Sequence, residues 1–489
     1  MPQDHQDDRG GGEPPGGAGP EAATGHPHRP LVPGTPGPGP SSEQRGQLLS
    51  RRQLLFGMGS GTTLLAANRL LGASGPALRS ARSLARSAAS GKVVIGFVGP
   101  QTGGLAGFAT SNNFAIGTIR KTAPYVKGFK VGSRTYEVTI LSKDSQSDPN
   151  RASQVARDLI LNNKVDLMIT SSTPETDNPV AVLCESEGVP CVSTVVPWQS
   201  WYAGLGGDPL KPTTKFEYNV MFFFGAEAFG KMFIPMWERI KTDKVVAEMF
   251  PNDADGNAFR AYWPSAIKAA GYTYVDGGAY PDLTANYTSM ISDFKSHHCQ
   301  IYINAPLPPD FNTFWKQAIQ QGFKPRLATV AKVLLFPADV KALWPLVNNV
   351  ATDAWWSPFA PYKSSLTGQT AAQLAEEYQK VTGQLWTQAI GSTYAAFEVA
   401  HNALTAASDP HDHKEVADIL HNMKYSGMNG EIDFANGPAP GVGIVPGAGV
   451  QWKKGRPGKF TDFPFAMYVV DNSYAPSWPI NGTLEPTNP

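Results

Sequence analysis

From residue 91 onward, short β-branched apolar runs alternate with segments of helical period. That alternation confines the chain to βαβ units built around parallel sheets. Residues 92–98 form the first apolar run and lead through a Gly-rich loop into a helix over about 108–121. Residues 136–143 alternate apolar and polar side chains and predict a strand. Asp148-Pro149-Asn150 carries helix-start signals, and Val155, Leu159 and Ile160 follow at helical spacing. Strands are expected over 165–170 and 190–195, with a helix over 175–187 between them. After a break rich in Gly, Pro, Lys and Thr at 203–215, the pattern restarts. Strands at 244–250, 272–277, 300–304 and 326–330 then alternate with helices at 229–241, 257–270, 287–295 and 310–322. Helices near 371–382, 390–407 and 413–423 and a tail of short strands complete the pattern. These roughly 400 residues exceed what one hydrophobic core holds, so two doubly wound α/β lobes are expected.

The segment ahead of this pattern reads differently. Residues 1–45 are dominated by Gly, Pro, Asp, Glu and His, with almost no large apolar side chains. Such a segment buries too little surface to offset the entropy of ordering it, and predicts a disordered leader. Ser50-Arg51-Arg52-Gln53-Leu54-Leu55-Phe56 then joins two arginines to an apolar stretch broken by Gly57, Gly59, Gly61, Asn68 and Arg69. A membrane span needs about 20 residues without such interruptions. The pattern is that of a twin-arginine export signal, which carries folded cargo. Residues 46–90 are expected to be signal peptide and linker, cut near Ala88–Ser90. The mature chain is then expected in the periplasm or at the cell surface. The apolar stretch has no cysteine beside it that would take a lipid anchor.

Lys+Arg and Asp+Glu both number 41, and the zero net charge argues against nucleic acid as a partner. The three cysteines are Cys184, Cys191 and Cys299. A helix running into a strand across Glu187-Gly188-Val189-Pro190 brings Cys184 near Cys191, and a disulfide between them is expected, with Cys299 a buried thiol. His297-His298-Cys299 and His411-Asp412-His413 lack a distant partner at metal-site spacing. The Gly57, Gly59, Gly61 series follows no strand, so it is not read as a nucleotide loop. No nucleophile elbow is visible. These readings predict no metal, no cofactor and no enzymatic activity.

Several local sequences recur in a familiar order. Gly99-Pro100-Gln101-Thr102-Gly103-Gly104-Leu105-Ala106-Gly107 follows the first strand, and Asp144-Ser145-Gln146-Ser147-Asp148-Pro149 the second. Asn163-Lys164-Val165-Asp166 and Glu187-Gly188-Val189-Pro190 precede the next two. Asp253-Ala254-Asp255-Gly256 and Gln317-Ala318-Ile319-Gln320-Gln321-Gly322 come later. Together they resemble the solute-binding proteins of branched-chain amino acid ABC transporters, leucine-binding-protein-like type I periplasmic binding proteins, over residues 91–470. The resemblance implies two Rossmann-like lobes joined by a three-crossing hinge. Lobe one would be 91–214 with 350–450, and lobe two 215–349 with 451–489. A solute would lie between them at the carboxyl ends of the strands. The implied partners are a small-molecule solute and an ABC permease in the membrane, with the receptor itself a monomer. A ligand sensor of the same fold is the alternative.

The resemblance also implies site residues. The loop after the third strand would hold a ligand carboxylate at a helix start, and here offers Ser171, Ser172 and Thr173. Capping of the helix at Glu175 is the competing role for the same hydroxyls. In the next loop Thr194 is a candidate, but Pro197 stands about where the family has a threonine. Trp198 and Trp201 follow, and aromatic faces there suit a flat or apolar ligand body. Asp255 replaces a family tyrosine, and the loop Pro306-Leu307-Pro308-Pro309 lacks another. The family's ammonium-binding carboxylate falls near Ala331-Lys332. A lysine there repels an ammonium and attracts an anion. Either Asp255 meets a ligand ammonium or Lys332 meets a ligand carboxylate. Phe108 aligns with a cleft-facing aromatic, Trp355 and Trp356 are candidates to reach the cleft, and Phe222, Phe223 and Phe224 read as hinge or core. The expected ligand is an amino acid or related small organic acid, and the aromatic candidates point to aromatic or apolar character.

Overall fold

A computed structural model describes residues 91–488. The expected leader and export signal lie outside the described residues. The strands are β1 (Lys92–Gly99), β2 (Phe129–Val131), β3 (Arg134–Asp144), β4 (Leu167–Ser171), β5 (Cys191–Thr194), β6 (Asn219–Phe223), β7 (Val245–Pro251) and β8 (Thr273–Tyr280). They continue with β9 (Ile301–Asn304), β10 (Leu327–Val330), β11 (Ala351–Ala354), β12 (Lys424–Gly427), β13 (Gly430–Asp433), β14 (Val442–Ile444), β15 (Ala448–Lys454) and β16 (Phe465–Asp471).

They form two seven-stranded sheets and a small hairpin of β12 and β13. The first sheet runs β14-β6-β5-β4-β1-β3-β2, and the second runs β16-β15-β11-β10-β9-β7-β8. Inner strands such as β4, β5 and β6 are buried along their whole length, which is why they read as unbroken apolar or small runs rather than alternating ones. Only β2 runs against the other strands in the first sheet, and only β15 does so in the second, pairing antiparallel with both β11 and β16. In each lobe the first strand sits between the second and third long strands: β1 between β3 and β4, β7 between β8 and β9. That is the strand reversal beside which α/β sheets place ligands.

The chain leaves the first sheet after β6, returns to it at β14, and crosses again to β15. The third crossing is short, residues 445–447. Sheet membership differs from the expected lobe bounds at two places. β6 belongs to the first sheet although it lies beyond 215, and β11 belongs to the second although it lies beyond 350. The expected bounds followed breaks in composition, whereas each sheet adds one more buried strand before the chain crosses. Phe222, Phe223 and Phe224 are accordingly core.

The long helix Ala389–Ala406 fastens onto the first lobe. Tyr125 Oη donates to the Phe397 carbonyl at 2.8 Å, and Phe97 stacks on the Phe397 ring at 6.1 Å. In the second lobe Trp237 stacks on Trp263 at 5.4 Å, and Tyr302 on Phe314 at 4.7 Å. Asp148 caps the helix Pro149–Leu161 by accepting from the Arg151 amide, as the sequence predicted. Gly188 ends the helix Pro174–Glu187 in the left-handed conformation.

The expected disulfide is not formed: Cys184, Cys191 and Cys299 are all free and buried. The turn does bring Cys184 against Cys191. Burial and the neighbouring thiol together raise the Cys184 pKa well above its ordinary value. Both sulfurs fill space in an apolar cluster with Leu159, Val165, Met168 and Val180. There a thiol packs as a small hydrophobic group. Denaturing the purified protein without reductant and titrating with a thiol reagent should therefore expose three thiols. Finding a single thiol, with two more after reduction, would show that the bridge forms.

Candidate functional site

Three residues in the loops at the carboxyl ends of the sheets hold a left-handed backbone. Val195, after β5, has φ 69°, and Lys332 and Leu334, after β10, have φ 65° and 62°. A β-branched residue in the left-handed region is costly, of order 1–3 kcal/mol, and persists only when surroundings hold it there.

The surroundings of Lys332 are ionic. Its ammonium lies 3.1 Å from Glu175 Oε1, 2.9 Å from Asp253 Oδ2 and 3.0 Å from Asp255 Oδ2. Glu175 opens the first-lobe helix Pro174–Glu187, whereas Asp253 and Asp255 open the second-lobe helix Ala254–Ala269. The lysine and both aspartates have side chains less than a tenth exposed. Taking an ammonium out of water costs several kcal/mol unless it is well paired. Burial alone lowers the Lys332 pKa, but Asp255, Glu175 and Asp253 outweigh it and hold the group well above its ordinary value. Burial raises Glu175, but Lys332, the Thr173 hydroxyl and a backbone amide together outweigh it and hold the group below the usual carboxylate range. Asp255 is pushed up to about 6 by burial, with Lys332 pulling down and Glu175 and Asp253 pushing up. Asp282, just after β8, is likewise pushed up to about 6 by burial and then by Asp253. One ammonium thus faces an excess of carboxylates.

Local structure fixes this cluster. Asp253 divides its oxygens: Oδ1 accepts from the Gly256 amide at 2.6 Å, capping the helix, and Oδ2 takes the lysine. Gly256 must stay small, because a Cβ there would lie 1.9 Å from the Pro251 carbonyl oxygen. Around the cluster further contacts cross between the lobes. Trp198 Nε1 donates to Glu227 Oε1 at 2.9 Å, Gln199 donates to the other oxygen of Glu227, and Ser200 Oγ donates to Asp255 Oδ1 at 2.8 Å. Phe108 meets Phe336 edge to face at 4.8 Å.

The sequence-derived residues therefore divide. Phe108, Trp198, Asp255 and Lys332 meet at the lobe junction. Ser171 and Thr194 are tied inside the first lobe, Ser171 Oγ to Thr393 Oγ1 at 3.0 Å and Thr194 Oγ1 to the Phe222 carbonyl at 2.8 Å. Ser172 and Thr173 are buried in the turn before the Glu175 helix, and Thr173, its N-cap residue, makes no side-chain cap bond. Among the described residues the Ser172 hydroxyl has no hydrogen-bond partner. Trp201 packs on Phe216, and Trp355 on Phe223, as core. Trp356 donates to the Met428 carbonyl. His411 bonds Asp166 at 2.9 Å, a structural use of that motif. Glu175, Asp253, Ser200, Gln199, Glu227 and Phe336 were not singled out from sequence. For Asp253 a signal existed, since a lysine at a lobe junction requires carboxylates around it.

The junction differs from the open cleft that the resemblance implied. The protein's own side chains meet across it, because Lys332 supplies the cation that draws Glu175 to the second lobe. A shallow groove of about 490 Å³, lined by Arg157, Asn178, Val182 and Gly204, lies to one side and shares Glu175 with the junction. No group of three or more His, Cys, Asp or Glu side chains is arranged to hold a metal among the described residues. No described helix is long and apolar enough to cross a membrane.

Replacing Gly256 by alanine is expected to cost roughly 3 kcal/mol, since the added methyl meets backbone rather than a movable side chain. Urea denaturation measures it, and a change below about 1 kcal/mol would mean that the close approach relaxes freely.

A family model for periplasmic binding proteins matches residues 92–457. No curated protein matches the sequence. Among solved structures, the leucine-binding protein LivK of Thermotoga maritima superposes with TM-score 0.62 at 17% identity, covering 74% of this chain and 95% of that one. LivJ of Streptococcus pneumoniae, in complex with isoleucine, gives 0.58 at 14% identity, covering 81% and 100%. A solute-binding protein of Rhodopseudomonas palustris BisB5, in complex with 3,4-dihydroxybenzoic acid, gives 0.59 at 18% identity, covering 78% and 98%. With two α/β lobes, three crossings and a family match over most of its length, the chain belongs to the periplasmic binding proteins and shares the fold of the leucine-binding protein.

Proposed function

We propose that this protein is the extracytoplasmic solute-binding component of an ABC transporter. It is exported by the twin-arginine pathway and closes its lobes on an amino acid or related small organic acid. The observation that carries this reading is the convergence of charged groups from both lobes at Lys332, at the carboxyl ends of both sheets. A solute that touches both lobes at once stabilises the closed state by its differential contacts. Ser172 and Thr173 from the first lobe and Asp255 from the second supply polar contacts, while Phe108 and Trp198 supply apolar surface. Relatives of this fold solved with isoleucine and with hydroxybenzoates support the ligand class. The loaded receptor docks, as a monomer, on a membrane permease. No bond is made or broken.

Two measurements test this. Changing Arg51 and Arg52 together to lysine should retain the protein in the cytoplasm, read by fractionation of cells; unchanged export sinks the twin-arginine reading. Thermal denaturation against a panel of amino acids and organic acids should raise Tm for a subset, with about 2.7 kcal/mol of stabilisation at a hundredfold excess over Kd. If every member of a broad panel leaves Tm unchanged, the solute-binding reading fails.

A further inference from the structure

The lobe junction contains a complete recognition site for a primary ammonium, and the protein's own lysine fills it. An ammonium has three N–H donors. Lys332 has carboxylate oxygens at 3.1, 2.9 and 3.0 Å, one from the first lobe and two from the second. This is the arrangement a cationic solute needs in order to close the lobes, supplied here from within. We propose that Lys332 is a tethered stand-in for a cationic solute, and that solutes bind by bringing a primary amine onto Glu175, Asp253 and Asp255 in its place. The proposal rests on the solute-binding reading above and narrows it to amine-bearing solutes over bare carboxylic acids.

Charge supports that choice. The cluster sets one ammonium against three carboxylates, with Asp282 close enough to interact with Asp253, Lys332 and Glu175. A bare carboxylate would add another like charge in a place of low dielectric, whereas an amine that takes the place of Lys332 keeps one cation on the three carboxylates. The site also holds unspent polar groups. Ser172 Oγ, fully buried in the turn that precedes Glu175, has no partner among the described residues, and neither does Glu175 Oε2. Thr173, also buried in that turn, lies close enough to lower the Glu175 pKa yet makes no hydrogen bond of normal geometry. Ser172 and Thr173 belong to the first lobe and are not themselves members of the carboxylate cluster.

Lys332 is suited to yielding its place. Its charge rides on a flexible four-carbon stem that can withdraw, unlike a planar guanidinium held in a fork. Because it is tethered, it competes at a high effective concentration and weakens the binding of any amine that must displace it. It therefore acts as a threshold as well as a lock.

The test uses the full mature chain and matched small probes. In the Lys332→Ala variant, propylammonium should raise Tm, since it restores the missing cation to the three carboxylates. Propionate and tetramethylammonium, tested at the same ionic strength, should not, since one has the wrong charge and the other has no N–H donor. In the wild type, amine-bearing members of matched pairs such as tyramine and 4-hydroxybenzoate should bind in preference to the acids. Lys332→Ala should tighten the amines about tenfold. Glu175→Gln, which removes one carboxylate from the cluster, should weaken the amines about tenfold relative to the bare acids. This second variant keeps the proposal testable if Lys332→Ala fails to fold. Equal effects of propylammonium and tetramethylammonium, or acids binding as tightly as amines, overturn the proposal while leaving solute binding intact. If nothing in the panel binds either protein, the solute-binding reading itself falls, and this inference with it.

Discussion

A buried ammonium has to be compensated where it sits, and that requirement organises the junction of this protein. Lys332 brings together a helix start from each lobe, because neither Glu175 alone nor the two aspartates alone gives three short contacts. Asp253 serves this cluster and the helix cap with separate oxygens, so the cap and the ion pair position each other. Ser200 then reaches Asp255 from the short helix Trp198–Gly204 after β5, and Trp198 and Gln199 at its start reach Glu227. The hydrogen bonds and ion pairs across the junction thus hang together as one polar network. The aromatic pair Phe108 and Phe336 adds contact area at one side.

Much of the fold was legible because periodicity is local. The β4 and β5 segments are short, wholly buried runs between helices, and both were found within one or two residues of their ends. The lobe boundaries were less legible, because composition marks exposed linkers and not sheet membership. β6 lies beyond such a linker yet completes the first sheet at Val220, Met221 and Phe222. The cysteine pair shows the same limit at a smaller scale. The helix–strand turn placed Cys184 beside Cys191, but adjacency in an apolar cluster does not make a bond.

The site was legible on one lobe at a time. Asp255 and Lys332 stood out because they replace residue types that the resemblance leads one to expect. Their third partner did not, because Glu175 is 157 residues from Lys332 and reads locally as an acidic residue in the first turn of a helix. The two roles proposed from sequence, Asp255 for a cation and Lys332 for an anion, turn out to be partners of each other. Hydroxyls were the weakest part of the reading. Ser171 and Thr194 look like neighbours of Ser172 in chemistry, but strand geometry turns them to Thr393 and to the Phe222 carbonyl.

The shortest crossing sets how such a protein can move. Only residues 445–447 separate β14 in one sheet from β15 in the other, and Gly447 sits with backbone and the Met232 sulfur close against it. An extended chain of that length spans about 14 Å at most. The two halves are thus pinned like the covers of a book at its spine. They can swing, but they cannot slide apart. A small rotation at the spine becomes a wide displacement at the opposite rim, where access to the charged interior is decided.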